Sequence, residues 1–241
     1  MTRTRIEPSA PQCQRCGTCC KKGGPALHKK DRVLVESGRL PLTDLFTIRR
    51  GELARDNVRG TLQPLDTEIV KIKAREAASW TCRYYSDHDS ACRIYSTRPL
   101  ECRVLQCWDT REIERLYSVG RLRRKDLLVP VEGLWDLIVD HDRRCSYESL
   151  HRLTRRLKSG GGEADAGKVL EVIQYDAELR DLVNERGNLD PEMLDFLFGR
   201  PLTRTVGQFG IRVECENGKV VRLVVERSVD TGGVGNPKTG Q

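Results

Sequence analysis

The segment "CQRCGTCC", from Cys13 to Cys20, places four cysteines within eight residues. Thiols packed this densely are open to oxidation unless something, such as a metal ion, binds them. A second group of four cysteines follows further along the chain, and it consists of Cys82, Cys92, Cys102 and Cys107. Eight of the ten cysteines therefore fall into two groups, and any fold of this chain has to accommodate them.

The rest of the sequence indicates how these thiols are used. The first residues, "MTRTRIEPSAPQ", include basic side chains but no apolar segment like that of a secretory signal. No stretch approaches the roughly 18 apolar residues of a membrane span. We therefore expect a cytoplasmic protein without membrane contact, in a reducing environment that favours metal-bound or catalytic cysteines. A disulfide framework is the alternative.

The spacing of the cysteines favours metal binding. A CxxC step lets two thiolates converge on one metal, and the CxxCxxC run of Cys13, Cys16 and Cys19 can hold three corners of a 4Fe-4S cube. Cys82 and Cys92 flank a predicted turn, which is a common way to complete a zinc or iron site. An iron–sulfur cluster is the interpretation that we prefer, and zinc is the alternative, because a thiol-only ligand set suits both metals.

The adjacent pair Cys19 and Cys20 departs from known cluster spacings. A bacterial ferredoxin run continues with three residues and Cys-Pro after its third cysteine, whereas here the fourth cysteine follows at once. In an extended or turn backbone successive side chains diverge, so we expect these two thiols to face different partners. Either they serve two neighbouring metal centres, or one is a ligand and the other is a spare thiol.

The two groups together resemble a known family. "CQRCGTCC", followed by "C…CRIYSTRPLECR…C", is similar to the CxxCxxCC zinc- or iron-chelating proteins, also called YkgJ-like cysteine-cluster proteins. The resemblance spans roughly the first half of the chain. It depends on these residues: Cys13, Cys16, Gly17, Cys19, Cys20, Cys82, Cys92, Ile94, Tyr95, Arg98, Pro99, Cys102, Arg103 and Cys107.

The resemblance implies metal chelation and little more. One related branch, the flagellin lysine N-methylases, carries an iron–sulfur cluster and modifies protein lysines. A lysine N-methylase-like enzyme is therefore a third hypothesis, beside an iron–sulfur protein with a redox or protein-modifying role and a zinc-stabilised module that binds protein or nucleic acid. Whether the chain is an enzyme stays open, and no catalytic residue is assigned. The expected partner is an unidentified protein or redox partner.

The fold class that we predict is α+β. Strands are expected in "DLFTIRRG", "TEIVKIKA" and the hairpin "CRYYSDHDSACRIY", and a helix is expected to start near Pro99. Helices follow through 111–158 and in the segment after Gly167, and a hairpin around residues 217 and 218 ends the fold, with a bulge predicted at Gly218.

Four segments follow from this pattern. We predict a flexible leader over 1–12, a cysteine-cluster metal-binding module over 13–110, a helical region with the C-terminal hairpin over 111–228, and a disordered tail over 229–241. The cysteine-rich module is expected to pack on the helical half.

Other candidate residues have weaker support. Cys145 and Cys215 are predicted to be buried, in the manner of small apolar residues. His88 is predicted to be a solvated histidine of a turn. Arg98 and Arg103 can offset thiolate charge, while residues 140–142 ("DHD") are typical of a solvated helix end. The basic runs, including "RLRRK" at 121–125, contribute to a net charge of +7, but they lack a recognition motif. We interpret them as solvated helix faces and expect no more than weak nucleic-acid binding.

Overall fold

The computed structural model describes Cys13 and residues 15–56, 58–76, 79–128, 133–216 and 219–225. The predicted leader (1–12) and tail (229–241) lie outside these residues. The fold is mixed α+β with a C-terminal hairpin, which confirms the predicted class. It divides into two compact units. Unit 1 combines the described residues up to Arg143 with Val183–Arg200, and unit 2 combines Arg144–Leu182 with the described residues from Pro201 onwards.

The strands of the described residues pair antiparallel, two by two. β1 pairs with β4, β2 with β3, β5 with β6, and β7 with β8. Their bounds are Leu45–Ile48 (β1), Leu53–Asp56 (β2), Thr61–Pro64 (β3), Ile69–Ile72 (β4), Tyr85–Ser86 (β5), Ala91–Cys92 (β6), Ile211–Glu216 (β7) and Lys219–Val225 (β8). The strands predicted in "DLFTIRRG" and "TEIVKIKA" are thus confirmed as β1 and β4.

Short helices connect these strands, and longer helices follow them. The α-helices are Arg32–Glu36 (α1), Leu100–Val104 (α2), Arg111–Leu116 (α3), Arg124–Leu127 (α4), Leu134–Arg144 (α5), Tyr147–Lys158 (α6), Glu163–Arg186 (α7), Leu194–Leu197 (α8) and Leu202–Thr205 (α9). Short 3₁₀ turns include Cys20–Lys22, Tyr95–Thr97 and Pro191–Met193. Within the described residues, no helix combines the length and apolar character that crossing a membrane requires.

Two helix starts differ from the prediction. Pro99 was expected inside the first turn of its helix, but it occupies the N-cap position of α2 in an extended conformation. The 3₁₀ turn Tyr95–Thr97 lies just before it, so the helix starts one residue after Pro99. Helix α7 begins at Glu163, before the predicted Gly167, since Glu163 and Asp165 favour the positive end of the helix dipole.

Unit 1 is built on the β1–β4 pair. One face of the pair carries Leu45, Thr47, Val70 and Ile72, which are all buried. The hydroxyl of Thr47 donates to the carbonyl oxygen of Phe196 at 2.7 Å, so α8 covers this face. The opposite face carries Ile48, Ile69 and Lys71. This alternation matches the period-two pattern of the sequence.

Arg124 corrects the interpretation of "RLRRK" as a solvated face. Its side chain is buried, and its guanidinium donates to Glu68 Oε2 at 2.8 Å from Nε and to the Leu197 carbonyl at 2.6 Å from Nη1. It also pairs with Asp142. The interpretation of residues 140–142 as a solvated helix end is therefore wrong too, because Asp142 belongs to this network and His141 is buried against Phe198.

Unit 2 packs α6 and α7 with the C-terminal segment. Tyr147 and Leu150 on α6 are buried, as the apolar spacing predicts, and the Tyr147 hydroxyl hydrogen-bonds to Thr205 at 2.8 Å. The Asp176 carboxylate on α7 accepts hydrogen bonds from Arg180 at 3.0 Å and from the Leu202 backbone N–H at 2.8 Å. These buried polar contacts tie α9 to α7.

The C-terminal hairpin contains a bulge. Glu216 pairs with Lys219 and Cys215 with Val220, and the register shifts between Glu214 and Cys215 because Val221 is the extra residue. The bulge brings Val220 to a buried position and leaves Val221 exposed. The shift in phase that required a bulge is therefore real, whereas the predicted bulge position, Gly218, lies outside the described residues.

Candidate metal centre

The first cysteine group ends in a tight turn. The carbonyl of Gly17 accepts the Lys21 N–H at 2.9 Å, and a 3₁₀ turn begins at Cys20. In this helical geometry neighbouring side chains do not alternate as they do in a strand. The Cys19 and Cys20 thiols are close enough to shift each other's pKa. Whether they serve one metal centre or two stays a prediction.

Gly17 allows this turn to lie against the β5–β6 hairpin. Its backbone φ is +77°, a value that L side chains rarely adopt. A Cβ atom at this position would also overlap the hydroxyl of Tyr85, which is buried. The glycine in the motif is therefore required by both the conformation of the chain and the close approach of an aromatic ring.

The second cysteine group is brought to the first by backbone contacts. The Cys82 N–H donates to the Cys20 carbonyl at 2.8 Å, and Cys92 lies opposite Tyr85 in the hairpin. The hairpin thus confirms the turn that was predicted between Cys82 and Cys92. Cys102 lies on the short helix α2 and is half-buried.

Six of the eight predicted ligands are linked by electrostatic interactions between their thiols, and we call them the cysteine cluster: Cys16, Cys19, Cys20, Cys82, Cys92 and Cys102. Cys20 interacts electrostatically with Cys19, Cys92 and Cys102, and Cys102 also interacts with Cys82. Cys16 joins the cluster through Cys19. The other two predicted ligands, Cys13 and Cys107, are exposed, and no such interaction joins them to the cluster among the described residues.

The thiols of the cluster differ in acidity. The hydrogen bond from Cys20 lowers the pKa of Cys19 to about 6, and Arg98 contributes to the same effect. The pKa of Cys20 is raised, because it donates that hydrogen bond and is partly buried. Burial and the neighbouring cysteines raise the pKa of Cys102. Cys19 is therefore a thiolate at neutral pH and a ready metal ligand.

Arg98 supports the cluster, whereas Arg103 has another partner. The Arg98 guanidinium lies 3.6 Å from the centre of the Tyr95 ring, and its Nε donates to the Tyr95 carbonyl at 2.9 Å. Arg15, from the first group, lies over the same ring at 4.3 Å. Arg103 instead approaches Asp31 at 3.8 Å. The predicted compensation of thiolate charge thus has a structural basis only for Arg98.

The remaining candidates lie as follows. Cys145 is fully buried, as predicted, with its sulfur 3.8 Å from the Val172 carbonyl. Cys215 is exposed, so its prediction as a buried residue is wrong, since the phase of β7 is lost beyond Glu214 at the bulge. His88 is 95% exposed and contacts Asp89 at 2.8 Å, which matches a solvated turn histidine.

Sequence reasoning did not find the pair His28 and Glu101. The His28 ring contacts Glu101 Oε1 at 3.2 Å and the Val119 carbonyl at 2.9 Å, while Glu101 Oε2 accepts the Ala26 N–H at 2.8 Å. Burial opposes protonation of His28, but Glu101 and Val119 outweigh it and raise its pKa. The pair fixes α2, and so Cys102, against the segment that follows the first cysteine group. No local pattern predicts it, because its members are 73 residues apart.

Gly17→Ala tests whether this close approach matters. We expect it to cost about 2 kcal/mol or more of unfolding free energy, from a left-handed alanine and an overlap with Tyr85. Metal content per purified chain should fall as well. Gly38→Ala is the matched control, because Gly38 has φ +72° and no atom within 4 Å of an added Cβ. It should cost about 1 kcal/mol, from the backbone alone, and leave metal content unchanged. Equal effects in both variants would contradict the role of Tyr85.

One known family matches the part of the chain that contains these cysteines. Residues 12–119, a little under half of the chain, match the family CxxCxxCC, described as "Putative zinc- or iron-chelating domain". The matched range contains all eight cysteines of the two groups. No match is found among curated proteins or among solved structures.

Proposed function

We propose, from the membership of residues 12–119 in the CxxCxxCC family of zinc- or iron-chelating domains, that this metal-chelating chain holds an iron–sulfur cluster. The observation that carries the proposal is the donor set. Six thiols interact electrostatically with one another, and two histidines of unit 1 have other partners, since His28 contacts Glu101 and His88 contacts Asp89. Sulfur-only ligation is what iron–sulfur clusters use.

The residues present fit such a group. Cys19 supplies a thiolate at neutral pH, and the positive charge of Arg98 offsets part of the negative charge that several thiolates bring together. The thiols of the buried Cys82 and the half-buried Cys102 need a metal to ionise, because loss of solvent raises the pKa of both. A bound metal reverses that preference, since thiolates are its ligands.

The function that we infer from this site is one-electron redox chemistry, with the electron exchanged with a protein partner. An iron–sulfur cluster supplies such chemistry when it is bound. The support for exchange is the exposure of Cys16 and Cys19, since a cluster held at the surface can pass electrons to a docked partner. A protein-modifying role would use the same cluster, but the described residues include no identified substrate site for it.

The proposal predicts the colour and composition of the protein. Chain purified without oxygen, after expression with iron supplied, should be brown and contain iron with acid-labile sulfide. Metal and sulfide per chain, measured together, also count the centres, and this count decides between one centre and two for Cys19 and Cys20. A colourless protein with stoichiometric zinc would overturn the iron–sulfur proposal and favour a zinc-stabilised module, which the same thiols would hold.

A further inference from the structure

A cleft of about 830 Å³ opens on the second face of the β1–β4 pair in unit 1. Its floor contains Ala26, Ile48, Ile69 and Lys71, and its walls come from the β2–β3 hairpin and from the segment between α3 and α4. The volume is in the usual range for small-molecule sites. We call it the Lys71 cleft.

Lys71 is the one basic residue on this floor. It lies on the same face as Ile48 and Ile69, between apolar neighbours, and its side chain forms no hydrogen bond or salt bridge within the described residues. Burial lowers its pKa, and the negative charge of Glu101 offsets this only in part. Since the charge of Glu101 offsets the cost of burial only in part, an anion that entered the cleft would stabilise the ammonium group further.

The acidic residues of the cleft are largely engaged by nearby donors. Asp56 accepts from two backbone N–H groups of its own turn, Glu101 from Ala26 and His28, Glu114 from Thr110, and Asp126 from the Arg123 N–H. Asp66 is the lining acid for which the described residues offer no such donor. These hydrogen-bonded carboxylates keep their charge, so the lining carries both signs, with six basic and five acidic residues.

The basic residues of the walls are in the opposite situation. The side chains of Arg55, Arg59 and Arg123 line the cleft and form no salt bridge or hydrogen bond within the described part of the chain. The Arg121 guanidinium lies 4.7 Å from the centre of the Tyr117 ring, and its Nε donates a hydrogen bond to the Tyr117 carbonyl. The guanidinium groups of these arginines thus line one cleft with N–H donors. The forked geometry of a guanidinium suits hydrogen bonds to the oxygens of an anion.

We propose that the Lys71 cleft binds a compact, multiply charged anion, with Lys71 at the floor and Arg55 and Arg123 on the walls. The ligand chemistry is that of a phosphate- or carboxylate-bearing small molecule. A long nucleic-acid strand is the less favoured occupant, because the lysine lies at the floor of a cleft and the lining offers few aromatic rings for base stacking.

The cleft is also next to the cysteine cluster. Glu101 lines the cleft and precedes Cys102 on α2, and the charge of Lys71 acts on the thiols of both Cys82 and Cys102. A bound anion would therefore lie beside the candidate metal centre, where it can serve as substrate or as regulator. The binding proposal itself does not depend on which metal the thiols hold.

The test is calorimetric titration of the full-length, metal-loaded chain with tripolyphosphate and, separately, with citrate. We expect at least one to bind, and Lys71→Met to weaken that binding at least about tenfold. Lys168→Met is the control, because Lys168 is exposed and does not line the cleft, and it should bind as the unsubstituted chain does. Binding of only one anion assigns the chemistry to phosphate or to carboxylate.

A second variant keeps the test sharp if Lys71→Met folds poorly. Arg123→Met changes an exposed side chain, so it should keep the fold and the metal content while still weakening anion binding. Absence of binding by the unsubstituted chain, or equal binding by all variants, would overturn the proposal. So would a single-stranded oligonucleotide that binds more tightly than either small anion and is insensitive to Lys71→Met. Metal content measured on each variant separates these outcomes from failure of the iron–sulfur proposal.

Discussion

Cys102→Ser should remove most of the bound metal. Cys102 interacts with Cys82, Cys92 and Cys19, so it lies at the centre of the cysteine cluster, on a helix that the pair His28 and Glu101 holds in place. A serine hydroxyl is a poor ligand for iron or zinc in a thiolate site. Replacing a residue that only hydrogen-bonds to a metal ligand typically lowers metal affinity 10- to 100-fold, and loss of a ligand itself should lower it by more. Elemental analysis of the purified protein should therefore show only a small remaining amount of metal.

Cys215→Ser is the matched control for this prediction. Cys215 is exposed on β7 and is not among the clustered thiols, so its replacement should change neither metal content nor stability. Circular dichroism of both variants shows whether the fold is retained. Full metal content in a folded Cys102→Ser chain would show that Cys102 is not a ligand. It would then indicate that the metal centre lies closer to the first cysteine group.

The local patterns of the sequence predict much of unit 1. Alternating apolar residues indicate β1 and β4, and the turn composition of "SDHDS" predicts the β5–β6 hairpin. These elements form from neighbouring residues, so period and turn chemistry suffice. The same holds for Tyr147 and Leu150 on α6, whose spacing places both in the core of unit 2.

Contacts between distant residues are what the sequence could not supply. One backbone hydrogen bond joins Cys20 to Cys82. The Tyr85 ring lies close to Gly17, because glycine has no side chain to occupy that space. The spacing of the cysteines predicts eight candidate ligands, and the electrostatic interactions of the fold link six of them. The sequence shows which residue types are present, but it does not show which distant segments come into contact when the chain folds.

Arg124 shows the same limit in a different way. A run of four basic residues within five predicts a solvated face, because charged side chains are rarely buried without partners. Here the partners exist, but Glu68 and Asp142 lie 56 and 18 residues from Arg124 in the sequence. The Leu197 carbonyl, on α8, completes the set. Each of these contacts lies within unit 1, so the network is part of the core of that unit.

Arg124→Met should therefore destabilise the protein by about 3–5 kcal/mol, because it removes the buried cation of Glu68 and leaves Asp142 with Arg49 alone of its two arginines. The cost should appear in urea unfolding as a lower midpoint. Lys125→Met, on the same helix but exposed, is the control and should change the unfolding free energy by less than about 0.5 kcal/mol. A small effect of Arg124→Met would mean that methionine packs well enough in this place to replace the ion pairs.

The pH dependence distinguishes lost ion pairs from lost packing. Burial alone would raise the pKa of Asp142, but the His141 ring, whose Nδ1 lies 3.8 Å away, and the charges of Arg124 and Arg49 outweigh it and lower the pKa from 3.8 to about 2. A lowered folded-state pKa means that Asp142 contributes stability above its ordinary pKa, and that this contribution is lost as the pH falls from about 4 to about 2. The unfolding free energies of the unsubstituted and Arg124→Met chains should therefore converge over this range. A difference that stays constant with pH would assign the effect of Arg124 to packing rather than to charge.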